Sequence, residues 1–270
     1  MRERERERER KRESYEEWNN FNKKIILIKN KYKKYKYLGH TSKIKRSEIN
    51  LYKFRLKNVR NVWCQQVIEL IKKLNIKNPK INDLGCNYFQ LFKEIKIQKF
   101  KCNYFGYDID KNFIQLGLSN FPELKNKYKV KNISKYRPRK TEISVISAVL
   151  EHTEEPLNFL NNIIKTTHKI IILRTFIDNK SKIKLVKNKK FNQPYFINQF
   201  SYNMILDLFL KNNYLPHFYS DLATKNSYYN EIYPNIFRRF FIIVFCKKDY
   251  LMKLFKTKKI SLNNLRKELK

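Results

Sequence analysis

Apolar positions along the chain follow two different periods, and the change between them divides the sequence. From residue 50 to 75, Tyr52, Leu56, Val59, Trp63, Val67, Leu70 and Leu74 recur three and four apart, the spacing of one helix with a buried face. From residue 80 the apolar runs become short, and helical stretches separate them. Strands are predicted at about 80–84, 103–108, 128–133 and 143–149, then from Lys169 to Leu173. The intervening helices run over Phe89 to Glu94, over 111–118 with a stop at Asn120 and Pro122, and from Pro156 to about Thr167. The last of these turns Leu157, Leu160, Ile163 and Ile164 inward. Ser201 is placed to cap a helix over 202–212, and strands follow near 214–219 and from Ile236 to Phe245. Five alternating units that end on a hairpin-like strand pair predict an α/β fold. The expected architecture is a Rossmann-like doubly wound sheet of about seven strands with a helical N-terminal extension.

Four regions follow from this pattern. Residues 1–13 form a charged low-complexity tail, in which an Arg-Glu repeat over 2–10 has no apolar face and is either helical through i,i+3 pairs or disordered. Residues 14–78 form the helical extension. It opens with a helix containing the run Ile25 to Ile28 and a loop around Leu38-Gly39-His40. Residues 79–246 hold the sheet. Within them, 177–200 reads as a long basic loop, a length that in compact domains is usually functional or disordered. Residues 247–270 form a basic tail, read as a helix with Leu251, Leu254 and Phe255 on one face. No internal repeat is visible.

The candidate chemistry lies where the strands end. The chain has only four glycines, and two of them fall in Asp83-Leu84-Gly85-Cys86-Asn87 and Gly106-Tyr107-Asp108-Ile109. A strand, a turn, a helix, a second strand and an acid roughly 20 residues after the turn glycine form the unit that holds an adenosine. The turn lets a cofactor approach the backbone, and the carboxylate accepts the ribose hydroxyls. A pyrophosphate asks for further glycines, and their places hold Asn87 and Phe89. NAD and FAD are therefore disfavoured. Asn tolerates a left-handed backbone, whereas Phe89 cannot take the place of a packing glycine without moving the helix. S-adenosylmethionine has no pyrophosphate and fits the narrower turn. The G-x-x-x-x-G-K-[ST] loop of nucleotide triphosphatases is absent.

Asp108 is thus the ribose acceptor, with Gly85, Cys86 and Asn87 lining the cofactor by backbone. Asp83 orders the turn amides or meets the methionine ammonium, against a purely structural role. Ile109 and Ile133 flank the adenine, and Asn132 or Ser134 bonds its edge. His152 can take a proton from an acceptor, or it and Glu151 pin their loop to the next helix. Arg174 can clamp an anionic group of a substrate, or be a surface charge. Nothing near Cys86 lowers its pKa, so a nucleophilic role is not expected. No cluster has metal-ligand spacing and no metal is expected.

Asp83-Leu84-Gly85-Cys86, Gly106-Tyr107-Asp108-Ile109 and Val149-Leu150-Glu151-His152, in that order, resemble the class I S-adenosylmethionine-dependent methyltransferases. They are most similar to the small-molecule branch, including quinone-biosynthesis and glycan-tailoring enzymes, which carries Leu-Glu-His after the fourth strand. The resemblance covers roughly residues 80–246. It implies a methyl transferred from S-adenosylmethionine to a small molecule or glycan precursor. The chain departs from the family at two places: Gly-Cys-Asn-Tyr-Phe stands for the usual Gly-Cys-Gly-x-Gly, and Ile143 stands where an Asp is usual.

Composition adds a competing thought. The formal net charge is +36, with 42% hydrophobic residues. Such charge marks nucleic-acid or anionic partners. A/T-rich codons also yield a chain rich in Lys, Asn, Ile, Tyr and Phe, and the charge is spread rather than gathered. The basic aromatic runs Lys31 to Tyr37 and Lys131 to Lys140 suit a nucleic-acid methyltransferase, but no Asn-Pro-Pro-Tyr-like or paired-cysteine motif accompanies them. A third reading, a methyltransferase-like scaffold that binds without catalysis, draws on the altered turn. An anionic small substrate, such as a nucleotide-linked sugar, suits the basic loop. Cys64, Cys86, Cys102 and Cys246 form no close pair. With neither a signal peptide nor a spanning segment expected, a cytoplasmic setting fits.

Overall fold

The structure is a computed structural model that describes residues 2–35, 46–187, 194–224, 226 and 230–252. Three helices precede the sheet: α1 (Arg2–Lys31), α2 (Arg46–Asn58) and α3 (Val62–Lys73). Then come β1 (Lys80–Leu84), α4 (Gln90–Ile97), β2 (Asn103–Asp108), α5 (Lys111–Leu118), β3 (Tyr128–Val130), β4 (Thr141–Ser147), α6 (Pro156–Ile164) and β5 (Thr167–Asp178). The remainder is β6 (Lys182–Lys187), β7 (Pro194–Ser201), α7 (Tyr202–Lys211), β8 (Tyr214–Ser220), β9 (Glu231–Tyr233), β10 (Ile236–Phe237) and β11 (Phe240–Lys247).

The central path of the sheet runs β3-β2-β1-β4-β5-β11-β8. The first five strands are parallel, and β11 is antiparallel to both neighbours. These seven strands are the number expected. Each central strand is covered on both faces, which is why it reads as a continuous apolar run rather than an alternating one. One face packs on α3, α4 and α5 through residues such as Val67, Ile71, Leu91 and Ile114. The other packs on α1, α6 and α7 through Trp18, Phe21, Leu160 and Ile205. The winding reverses between β1 and β4, so a crevice opens at the carboxyl ends of those two strands.

Several expectations need correction. The helix expected over 50–75 is two helices, broken at Val59-Arg60-Asn61. The Asn58 amide donates to the Phe54 carbonyl at 3.0 Å, ending α2. Arg60 turns away to the Glu94 carboxylate (2.5 and 3.2 Å), and the extended Asn61 starts α3. Val59 falls in the break and is exposed.

The basic stretch 177–200 is not a loop where it is described. β5 continues to Asp178, and β6 and β7 pair antiparallel as an arm, with β7 running parallel to the end of β5. The apolar alternation of β7 is the cause: Phe196 and Phe200 bury on one face, Ile197 on the other. The strand expected from Ile236 to Phe245 is divided at Arg238-Arg239 into β10, which pairs with β9, and β11.

The Arg-Glu repeat is helical, and α1 runs unbroken through it. At the end of the repeat Lys11 pairs with Glu7, and beyond it Arg12 with Glu16, at i,i+4, while Arg10 acts on the Glu7 carboxylate at i,i+3. The loop expected at Leu38-Gly39-His40 and the tail positions Leu254 and Phe255 lie outside the described residues.

Candidate functional site

The turn after β1 is held by backbone. Gly85 has φ 85°, and its N–H and that of Cys86 both donate to the Tyr107 carbonyl (2.7 and 2.9 Å). A Cβ at Gly85 would lie 2.1 Å from Val149 Cγ2, so both backbone sign and space demand glycine. Asn87 is left-handed (φ 52°), the conformation expected of it, and its side-chain oxygen accepts from Tyr88 N at 2.8 Å.

Phe89 is also left-handed (φ 62°) and fully buried, where a small residue was expected to be needed. The room comes from elsewhere. A Cβ on Gly106 of β2 would meet the Phe89 ring at 2.9 Å, and one on Gly117 of α5 would meet it at 2.4 Å. The glycines have moved to the ring's neighbours, and α4 keeps its place.

The Asp108 carboxylate bridges the two segments. One oxygen accepts from Asn87 N at 2.7 Å, the other from Asp110 N at 2.8 Å. Each oxygen keeps a lone pair for a further donor. Burial raises its pKa to about 6, and the backbone donors of Asp110, Asn87 and Ile109 hold it from rising further. Asp110 in turn caps α5 by accepting from Asn112 N. Asp83 is buried at the end of β1 and accepts from the Tyr104 hydroxyl at 2.7 Å. Burial, with some help from the Asp108 charge, lifts its pKa to about 7. Desolvation raises the buried Cys86 thiol well above its ordinary value, so it is inert.

One cleft brings the expected residues together: Asp83, Gly85, Cys86, Asn87, Asp108 and Ile109 on one side, Asn132 and Ile133 beside them, and His152 and Arg174 opposite. Asn132 uses its side-chain oxygen on Ser134 N at 2.9 Å, and Ile133 is buried. His152 sits in a short 3-10 turn, Leu150–His152, with Nδ1 3.3 Å from the Phe196 carbonyl and its ring edge-on to Tyr195. Burial lowers its pKa to about 4, so the imidazole is neutral at pH 7. Glu151 is fully buried and accepts from the Thr175 hydroxyl at 2.9 Å; its pKa rises to about 7 through desolvation. The pair therefore ties its loop to β5 and β7.

Arg174 differs from the free anion clamp expected. It is 5% exposed, and its Nε and Nη2 engage both oxygens of Asp221 at 3.0 and 2.9 Å. A surface charge is equally excluded. Asp221, the residue after β8, carried no signal in the sequence. Trp63, which α3 brings into the cleft, and Ser147, at the end of β4, were legible only as helix and strand positions, and Val149 only as part of the Val149-Leu150-Glu151-His152 segment. Asp110 could have been found as an acid directly before a helix.

No protein-family model matches the sequence, and no curated protein matches it. Among solved structures, a SAM-dependent methyltransferase from Clostridium acetobutylicum aligns with a TM-score of 0.53 and 9% identity, over 74% of this chain and 97% of that one. One from Methanosarcina mazei aligns at 0.51 and 15% identity, over 66% and 96%. The 1,6-didemethyltoxoflavin-N1-methyltransferase of Burkholderia thailandensis, solved with its substrate and S-adenosylhomocysteine, aligns at 0.51 and 9%, over 78% and 94%. The chain shares its fold with these enzymes.

Proposed function

We propose that the chain is an S-adenosylmethionine-dependent methyltransferase that acts on a small molecule or glycan precursor. The observation that carries this is the Asp108 carboxylate, which lines the cleft at the switch point of the sheet and accepts from the Asn87 and Asp110 amides. That arrangement fits the two hydroxyls of a ribose. The rest of the donor set fits the same cofactor. Asp83 offers a buried acid for an ammonium, and Ile109 and Ile133 offer apolar walls for an adenine. The turn offers no second close backbone approach for a pyrophosphate, because Phe89 occupies that position.

When bound, S-adenosylmethionine supplies an electrophilic methyl group on a sulfonium. The chain's own part is to align an acceptor and exclude water. We assign His152, which lines the cleft, to the acceptor: a neutral imidazole whose Nδ1 faces a carbonyl suits orienting a hydroxyl, and its pKa of about 4 makes it a weak base for the proton. The cleft is also lined by Trp63, Phe159 and Phe113, and this partly aromatic lining supports a small acceptor over a nucleic acid. Among the described residues no helix is long and apolar enough to cross a membrane. All four cysteines are free, in keeping with a reducing, cytoplasmic setting.

Calorimetric titration with S-adenosylmethionine tests the cofactor. Labelled methyl transfer to metabolite and nucleotide-sugar pools, beside RNA across a salt series, tests the acceptor. Salt-sensitive methylation of RNA would overturn the small-molecule reading, and absence of cofactor binding would leave only a scaffold.

A further inference from the structure

The cleft is rich in acid. Asp83, Asp108 and Asp110 line it, and the cationic side chains that line it are Lys131, beside the adenine wall, and Arg174, at the opposite end. Arg174 is an unusual cation. Asp221, itself fully buried, holds its Nε and Nη2 in a two-point pair, and Thr224 donates to the same carboxylate. The guanidinium plane is fixed from its faces by Phe240, 4.0 Å from the ring centroid, and by Trp63 at 6.0 Å. A guanidinium has five donors. The pair uses two, and the edge at Nη1 has the Ser147 hydroxyl as its partner among the described residues, at 3.4 Å. Arg174 and Ser147 both belong to the lining of the cleft, as does Asp83. Asp83 and Arg174 both act electrostatically on the buried Cys64 of α3, so the two charges converge on the same helix.

We infer that Arg174 Nη1, with the Ser147 hydroxyl, is the receptor for the α-carboxylate of the cofactor's methionine end, and that Asp221 is the positioning residue that aims it. The inference rests on the reading of the cleft as an S-adenosylmethionine site. It reassigns Arg174 from the methyl acceptor to the methyl donor. An α-amino acid presents an ammonium and a carboxylate on one carbon, and Asp83 and Arg174 meet it with the opposite pair. A preorganised cation suits this task because its rotamer is already fixed, so binding orders little that was free. Trp63 completes the device. Through it, the N-terminal extension contributes a wall to the cofactor end of the cleft.

The test compares two ligands by calorimetry: S-adenosylmethionine and its decarboxylated form, which lacks only the carboxylate. In an acid-rich cleft without a carboxylate receptor, the decarboxylated ligand carries more positive charge and binds at least as well. With the receptor it loses charge-assisted hydrogen bonds and binds about ten- to a hundredfold more weakly. Equal or tighter binding of the decarboxylated ligand to the wild-type chain overturns the inference. In Arg174→Gln the preference for the carboxylate ligand collapses to near unity, while 5′-methylthioadenosine, which has no amino-acid end, binds unchanged. Because this variant leaves a buried Asp221 unpaired, the paired change Arg174→Gln with Asp221→Asn is measured beside it and gives the same collapse. Ser147→Ala reduces the preference severalfold. A preference that survives these substitutions overturns the assignment. If the wild type binds neither S-adenosylmethionine nor 5′-methylthioadenosine, it is the cofactor reading that fails. If it binds both, and Asp108→Ala weakens both, that reading stands and the ligand comparison judges Arg174 alone.

Discussion

The strand ends that line the cleft and the arm beside them are satisfied to different degrees. On the wall built by β1, β2, β3 and their turns, each buried acid has a donor: Tyr104 for Asp83, Asn87 and Asp110 for Asp108, Asn112 for Asp110. None of the buried side-chain polar atoms that lack a hydrogen bond falls between residues 80 and 134. Around the β6–β7 arm, outside the residues that line the cleft, Glu151 Oε1, Asn198 Oδ1 and both amide atoms of Gln199 are buried without a partner among the described residues. An unpaired buried polar atom is costly, and an ordered water is one partner that such atoms can take. The first region is complete by itself, whereas the second retains hydrogen-bonding capacity that the described residues do not use.

The comparison breaks most sharply at Phe89. Phe89→Ala empties a fully buried ring and costs about 3–5 kcal/mol in urea unfolding. Gly117→Ala drives a Cβ into that ring and costs about 1–3 kcal/mol. The two should be strongly non-additive, because Gly117 is small for the sake of the ring. Additive costs in the double variant would reject that account.

Next comes Asp108. Asp108→Ala removes charge-assisted bonds of about 1.5–3 kcal/mol each, so S-adenosylmethionine binds at least about tenfold more weakly. In the wild type, affinity falls as pH is lowered through the Asp108 value of about 6, since the protonated carboxyl loses acceptor capacity. A pH-independent affinity between 5 and 8 counts against Asp108 as the ribose acceptor.

Stability responds to pH in the other direction. Asp83, Asp108 and Glu151 have raised values in the folded chain, of about 7, 6 and 7. Between the ordinary carboxylate range and those values the folded state holds more protons than the unfolded one, and stability falls as pH rises. The lowered His152 value of about 4 opposes this only up to its ordinary 6.5. The Tm of the ligand-free chain should therefore decline between pH 6.5 and 7.5, and Asp83→Asn should flatten the decline.

On the arm, Gln199→Leu removes two unpartnered polar atoms and should raise stability by about 1 kcal/mol. A loss of stability would show that the amide has a partner after all. The smallest effect is at Asn87→Gly. Relief of the left-handed backbone offsets loss of the side-chain bond to Tyr88 N, leaving stability within about 0.5 kcal/mol.

The legible part of the sequence is the part governed by local rules. Residues 103–108 and 111–118 form the strand and helix expected there, and Ser201 caps α7 through Met204 N as read. Short apolar runs, an acid before a helix and a polar cap act within a few residues. The division of the 50–75 helix was not legible, because it depends on Arg60 reaching Glu94, 34 residues away. The arm was hidden for the same kind of reason: β7 finds its partners in the lysine-rich β6 and in the end of an extended β5, neither of which its own residues specify. At the site, Asp108 and the turn could be read from spacing, whereas Asp221 and Trp63 reach the cleft only through the tertiary fold.

The docking of α1 sets an order of events during synthesis. The Trp18 indole donates to the Met204 carbonyl, and Glu17 accepts from Ser201 and Ser181; the first of these contacts spans 186 residues. A ribosome adding about 5–20 residues per second needs roughly 10–40 s to make the dock after the helix that will fill it. Through that interval Trp18, Phe21 and Ile25 form an unsheltered apolar stripe on a nascent chain. The alternating arginines and glutamates just ahead of them carry no apolar face and repel association, as flanking charges do beside exposed hydrophobic segments. The Arg-Glu repeat, which contributes little to the finished core, thereby protects the helix while it waits for its partner.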